Sequence, residues 1–237
     1  MPHFALLVAA VFGFALKRGE MCILSGITDC IDHRSLRAFR GFFKISLWAA
    51  LFGWGFWWWL PGAKAGDAFP VTLATVIGGA AFGIGAAING GCFFGSFSRL
   101  SGGDLTFLLT FIGWAAGASL QGHVPWPLST PVPRGLSPVA QPNMLGLMFF
   151  ALAIILCLRE IVSLSRGVVR QDRVQEMSIP LIGATGAFLY ATNGAWAYPL
   201  AAGPATGSGG IPALSAATLF GGFLAAVYGS KFRVRFA

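Results

Sequence analysis

The chain has 237 residues, of which 56% are hydrophobic and 10% charged, with a mean hydropathy of +0.73. A soluble domain carries about a quarter charged residues, so this composition excludes an ordinary water-soluble core and makes lipid the expected solvent. The formal charge of +8 does not point to nucleic acid, because the Lys and Arg residues fall between apolar runs, as in the basic loops of an integral membrane protein.

Seven apolar windows follow in chain order, at about 3–16, 42–60, 69–88, 104–120, 143–158, 177–196 and 211–229. The first is short for a clean span, and the others approach the length that a bilayer core requires. The 33 glycines suit close helix packing in a membrane. Short, Gly-interrupted windows predict broken or re-entrant helices, which a membrane tolerates where protein or a water-filled cavity covers the backbone. Charge sets direction. Lys17, Arg18, Arg34, Arg37, Arg40 and Lys44 follow the first window, Arg159, Arg166, Arg170 and Arg173 follow the fifth, and Lys231, Arg233 and Arg235 close the chain. The alternate connections, 61–68 and 121–142, carry only Lys64 and Arg134. The positive-inside rule then predicts seven crossings, with the N-terminus outside and the C-terminus in the cytoplasm. Trp57-Trp58-Trp59 reads as an interfacial aromatic belt, and the 121–142 connection, with six prolines, as an extracytoplasmic loop or cap. Acidic residues are scarce in the windows, so no proton-coupling group is evident.

One phrase occurs twice. FGFALKRGEMC (12–22) and FGIGAAINGGC (82–92) are offset by 70 residues, and each places a cysteine nine residues after its first glycine, at Cys22 and Cys92. Each reads as an apolar half-span that breaks and delivers one thiol. A weaker third copy, Thr185-Gly186 to Asn193-Gly194-Ala195, has alanine at the cysteine position and runs in the opposite direction in this topology. The expected fold is therefore an all-α integral membrane protein, a polytopic helical bundle with internal inverted repeats and short broken helices. Residues 1–175 form the first repeat half with both Gly-Cys motifs, and 176–237 begin a second, incomplete half.

The densest motif is GIGAAINGGCFFGSFSRLSGGD, residues 83–104. Asn89-Gly90-Gly91 predicts a helix end with freed N–H groups and room for close approach of a ligand. A helix restarting near Cys92 or Ser96 would turn its positive end toward the break, and Arg99 adds a full charge nearby. The candidate path residues are Cys22, Cys92, Asn89, Gly90, Gly91 and Arg99. Asp104 reads as an N-cap for the next span, with proton coupling as the alternative. Glu20 is either a surface residue or a gating charge. Asp29, Asp32 and His33 read as a solvated cytoplasmic turn that Cys30 shares incidentally, and Cys157 as a packing residue. With no CxxC pair and no histidine at ligand spacing to a cysteine, neither a metal nor a cofactor is expected, and no catalytic residue is assigned.

The stretches NGGCFFGSFSRLSGGDL and KRGEMCILSGITD resemble the two cysteine motifs of the YeeE/YedE sulfur-transport family, the thiosulfate permeases. The resemblance implies uptake of thiosulfate or a related small sulfur-containing anion across the bacterial inner membrane, with Cys22 and Cys92 handling the cargo in turn. It also implies a further Gly-Cys motif after a segment like GSKFRVRF, whereas the sequence ends at Ala237 just beyond that segment. The expected partners are thus the anion, the lipid bilayer, a second membrane chain supplying the last repeat and, by resemblance, a cytoplasmic sulfur-carrier protein. Two other readings stay open, a half-transporter or non-transporting subunit and a membrane thiol oxidoreductase in which the cysteines exchange.

Overall fold

The computed structural model describes residues 2–63, 67–68, 71–121, 135–136, 143–165, 173–194, 211–230 and 232–236. Among them the chain is helical apart from a two-residue ladder, β1 (Asp67–Ala68) against β2 (Gly135–Leu136), and one isolated bridge between Asp104 and Arg235. The helices are α1 (Pro2–Gly19), α2 (Ile23–His33), α3 (Arg37–Trp59), α4 (Leu73–Asn89), α5 (Phe93–Ser101), α6 (Leu108–Gln121), α7 (Met144–Ser165), α8 (Arg173–Asn193) and α9 (Ile211–Tyr228). Two stretches, Thr75–Ser101 and Met144–Ser163, are long and apolar enough to cross a membrane, and the first contains the α4–α5 break. Most of the Pro-rich 121–142 connection, and Ala195 of the third copy, lie outside the described residues.

The breaks differ from the expected half-spans. At about 1.5 Å per residue, α1 and α4 run about 27 and about 26 Å before they stop, close to a full hydrocarbon core. The window at 3–16 is lengthened because Lys17, Arg18 and Gly19 continue the helix. Both copies then stop in the same way. Glu20 (φ 46°) and Gly90 (φ 65°) turn left-handed, one residue follows, and the cysteine becomes the N-cap of a short helix, α2 or α5. The second copy meets the left-handed position with glycine, at no steric penalty, whereas Glu20 takes it with a side chain, at about 1 kcal/mol. The third copy also ends on Asn-Gly, with Gly194 at φ 81°.

α1 lies at the centre of the described bundle. Val8, Ala9, Phe12, Ala15 and Leu16 are buried against Ile182 and Leu189 of α8, Leu214 of α9 and Phe97 of α5. Lipid is as apolar as these side chains, so close approach rather than water exclusion drives the pairing. A Cβ added at Gly13 would run into the Thr218 carbonyl oxygen, and one at Gly221 into that of Ala10, so α1 and α9 touch backbone to backbone. α3 and α8 meet similarly, where a Cβ on Gly183 would sit 2.5 Å from that of Trp48. α4 is the opposite case, with nearly all its described side chains exposed.

The charged helix ends gather at one end of the bundle. The Lys17 ammonium donates to the Ser98 carbonyl at 2.6 Å, complementing the negative end of α5. Arg18 lies over the Tyr228 ring. The tail straps across the same end, with the Arg233 and Arg235 N–H groups donating to the Gly102 and Gly103 carbonyls at 2.9 Å. Asp104 sits at the start of a 3-10 turn, Leu105–Phe107, but its carboxylate takes the Thr106 hydroxyl instead of capping the backbone. Asp29, Cys30, Asp32 and His33 lie on α2, which continues through the expected turn. In the Trp57-Trp58-Trp59 run only Trp59 is exposed, and Trp58 tilts against Phe150 of α7.

Among the described residues one acid is buried, just beyond the fifth apolar window. Because α3, α7 and α8 run past their apolar windows, Glu160 on α7 is carried inside the bundle. There Lys44 of α3 lies 3.2 Å from Glu160 and 2.5 Å from Glu176 of α8, while the Trp48 indole N–H donates to Glu160 at 3.3 Å. Removing one partner of a buried ion pair costs about 3–5 kcal/mol, and partial exposure of Lys44 reduces that. Lys44→Met is therefore expected to lower stability in detergent by about 2 kcal/mol, and Lys44→Met with Glu160→Gln by less, as a thermal denaturation series would reveal.

Candidate functional site: a thiol pair between two helix N-termini

The α1–α2 and α4–α5 breaks converge. Cys92 is buried, 3% exposed, and Cys22 is half-buried. Although 70 residues apart in sequence, their thiols lie within hydrogen-bonding reach of each other, and both are free.

Backbone N–H groups surround the pair because each cysteine is an N-cap and the first N–H groups of a helix have no partner within it. The Ile23 N–H donates to the Cys92 sulfur at 3.2 Å. The Cys92 backbone in turn lies near the Cys22 sulfur. Leu24 and Ser25 add their N–H groups on the Cys22 side, and Gly95 adds its own on the Cys92 side. Two helix N-termini therefore face one spot, which favours negative charge there.

The other sequence-named residues hold the second break in shape. The Asn89 amide donates to the Ser96 hydroxyl at 2.8 Å and the Gly91 carbonyl at 3.1 Å, and its oxygen accepts from the Thr110 hydroxyl at 2.6 Å. One side chain thus ties the end of α4 to the loop, to α5 and to α6. Gly91 is buried against Ser96 and Phe107. Arg99, at the far end of α5, lies over the Phe107 ring, and its guanidinium would be 3.8 Å from a Cβ on Gly90. Its guanidinium thus reaches back toward the left-handed turn of the break.

Sequence reasoning gave no role to Thr110 or Gly95, and named Ser96 only as a possible helix start. Ser96 and Gly95 stood inside the quoted motif, four and three residues after Cys92, the spacing of one helical turn. Thr110 carried no local signal, since it joins the site from a separate helix. Asn89→Ala would leave the buried Ser96 hydroxyl and the Thr110 hydroxyl without this partner. It is expected to cost about 1–3 kcal/mol, and Thr110→Val less, both read by thermal unfolding in detergent.

A membrane protein with interrupted helices whose N-termini meet around a pair of thiols is the class that these observations define. Residues 18–218 match the sulphur transport family, known as YeeE/YedE, and the chain belongs to that family. The matched region contains both breaks. Membership places the chain among sulphur-related transporters in preference to enzymes. No curated protein matches the chain.

Proposed function

We propose that the protein moves thiosulfate, or a closely related small sulfur-containing anion, through a path lined by Cys22 and Cys92. The observation that carries this reading is the meeting of the two thiols at two helix N-termini, with the Ile23 N–H on the Cys92 sulfur. Thiosulfate is a dianion with hard oxygens and a soft terminal sulfur. The N–H groups offset its charge, and an S–H offers the soft sulfur a weak hydrogen bond. Passage requires a site weak enough to release its cargo, and backbone dipoles at the thiols suit that requirement. Asn89, Gly90 and Gly91 shape the break, and Arg99 draws anions toward its basic end.

The same proposal sets the chain as a multi-pass protein of the bacterial inner membrane, N-terminus outside and C-terminus cytoplasmic. The repeat halves, 1–175 and 176–237, run inverted to one another. The exposed flanks of α4 offer a face for a neighbouring membrane chain. The basic end carrying Lys17, Arg18, Arg233 and Arg235 suits an acidic cytoplasmic sulfur carrier.

Uptake of radiolabelled thiosulfate by a sulfur-source-deficient strain tests this reading, with the chain alone and with its genomic neighbour. Accumulation above the empty strain supports it. Failure in both strains, with the protein present in the membrane, rejects it.

A further inference from the structure

Gly95 sits in the first turn of α5 in ordinary helical geometry, so no special backbone conformation calls for glycine there. Glycine inside a helix is about 1 kcal/mol worse than alanine. Space supplies the reason. A Cβ on Gly95 would lie 2.7 Å from the Cys22 sulfur, 3.4 Å from the Cys22 Cβ and 3.8 Å from the Cys92 sulfur. Contacts below 3.0 Å force something to move, and the movable part is the Cys22 thiol.

We propose that Gly95 is a positioning residue for the thiol pair: by carrying no side chain it leaves the space in which the Cys22 sulfur reaches Cys92 and the shared N–H groups, and it thereby sets the fit of the cargo. The transport part of this inference rests on the function proposed above. A methyl group at position 95 turns the Cys22 thiol about its Cα–Cβ bond, away from Cys92. Helix propensity favours alanine, so the fold tolerates the change while the pair separates.

The test uses the full chain in membranes with Cys30→Ser and Cys157→Ala, leaving only the two thiols of interest. Diamide removes two electrons and two protons from a neighbouring thiol pair, forming one S–S bond and a hydrazine product, so its crosslinking rate reports proximity. Gly95→Ala is expected to slow Cys22–Cys92 crosslinking at least tenfold and to lower thiosulfate uptake to a similar extent, chiefly through a higher KM. The unfolding temperature in detergent should stay unchanged. Gly85→Ala, on the open side of α4 where an added Cβ meets nothing within 4 Å, serves as a control that leaves the crosslinking rate near that of the unaltered chain. Crosslinking at the unaltered rate in Gly95→Ala overturns the positioning role whatever the uptake. Unaltered uptake despite slowed crosslinking overturns the link to cargo. Absence of uptake by the unaltered chain rejects the transport reading itself, while the crosslinking arm still decides whether Gly95 places the thiol.

Discussion

Gly221→Val, and equally Gly13→Val, will separate α1 from α9 and lower the unfolding temperature more than any other single change considered. The argument is geometric. At both glycines the neighbouring helix presents a backbone carbonyl where the first side-chain atom would stand, Thr218 opposite Gly13 and Ala10 opposite Gly221. A backbone carbonyl cannot rotate aside as a side chain can, so the helices must move apart by more than an ångström. Overpacking typically costs about 1–3 kcal/mol, and valine adds two further carbons to the clash. The movement also loosens the cluster of Val8, Ala9, Phe12, Leu16 and Leu214, the centre of the bundle. Because α1 carries Cys22 on the loop that follows it, the same substitutions should disturb the thiol pair. Thermal unfolding and limited proteolysis in detergent provide the readout, and wild-type stability in both variants would refute the close packing of α1 on α9.

The second large effect falls on transport. Cys92→Ala removes a buried thiol held by the Ile23 and Gly95 N–H groups, and Cys22→Ala removes its partner. A hydrogen bond to a charged group contributes about 1.5–3 kcal/mol, which corresponds to roughly a tenfold to hundredfold loss of uptake for each variant. The two thiols serve one cargo at one place, so the double variant should lose less than the product of the single losses. Serine at either position keeps a hydroxyl but withdraws the soft atom, and it should recover only part of the rate. Uptake by Cys22→Ala and Cys92→Ala equal to that of the unaltered protein, at equal membrane levels, would remove the cysteines from the path.

Local features of the thiol site are legible in the residue order. Asn89-Gly90-Gly91 predicts the end of α4 because glycine alone adopts the left-handed turn freely, and α4 stops there. The repeated spacing of Cys22 and Cys92 corresponds to a repeated backbone design, a left-handed residue two positions before each N-cap cysteine. Non-local features are not legible. No window analysis brings residue 22 beside residue 92, because that depends on how α1 packs between α8, α9 and α5. The ion cluster of Lys44, Glu160 and Glu176 escaped for a related reason. Each charge lies at the edge of an apolar window, where hydropathy marks the start of a loop, yet all three helices continue through these positions. Asp29, Asp32 and His33 alone suggest a charged turn, whereas Ile23, Ile27 and Ile31, recurring every four residues on one face, mark the helix that carries them.

The claim on which the rest depends is that two separate helix interruptions bring their cysteines to a common point. Diamide treatment of native membranes, followed by mass spectrometry of the digested chain, measures this most directly. The account predicts an intramolecular Cys22–Cys92 disulfide as the dominant product, formed before any bond to Cys30 or Cys157. Cys22 and Cys92 remaining as free thiols, or pairing preferentially with the other two cysteines, would contradict it.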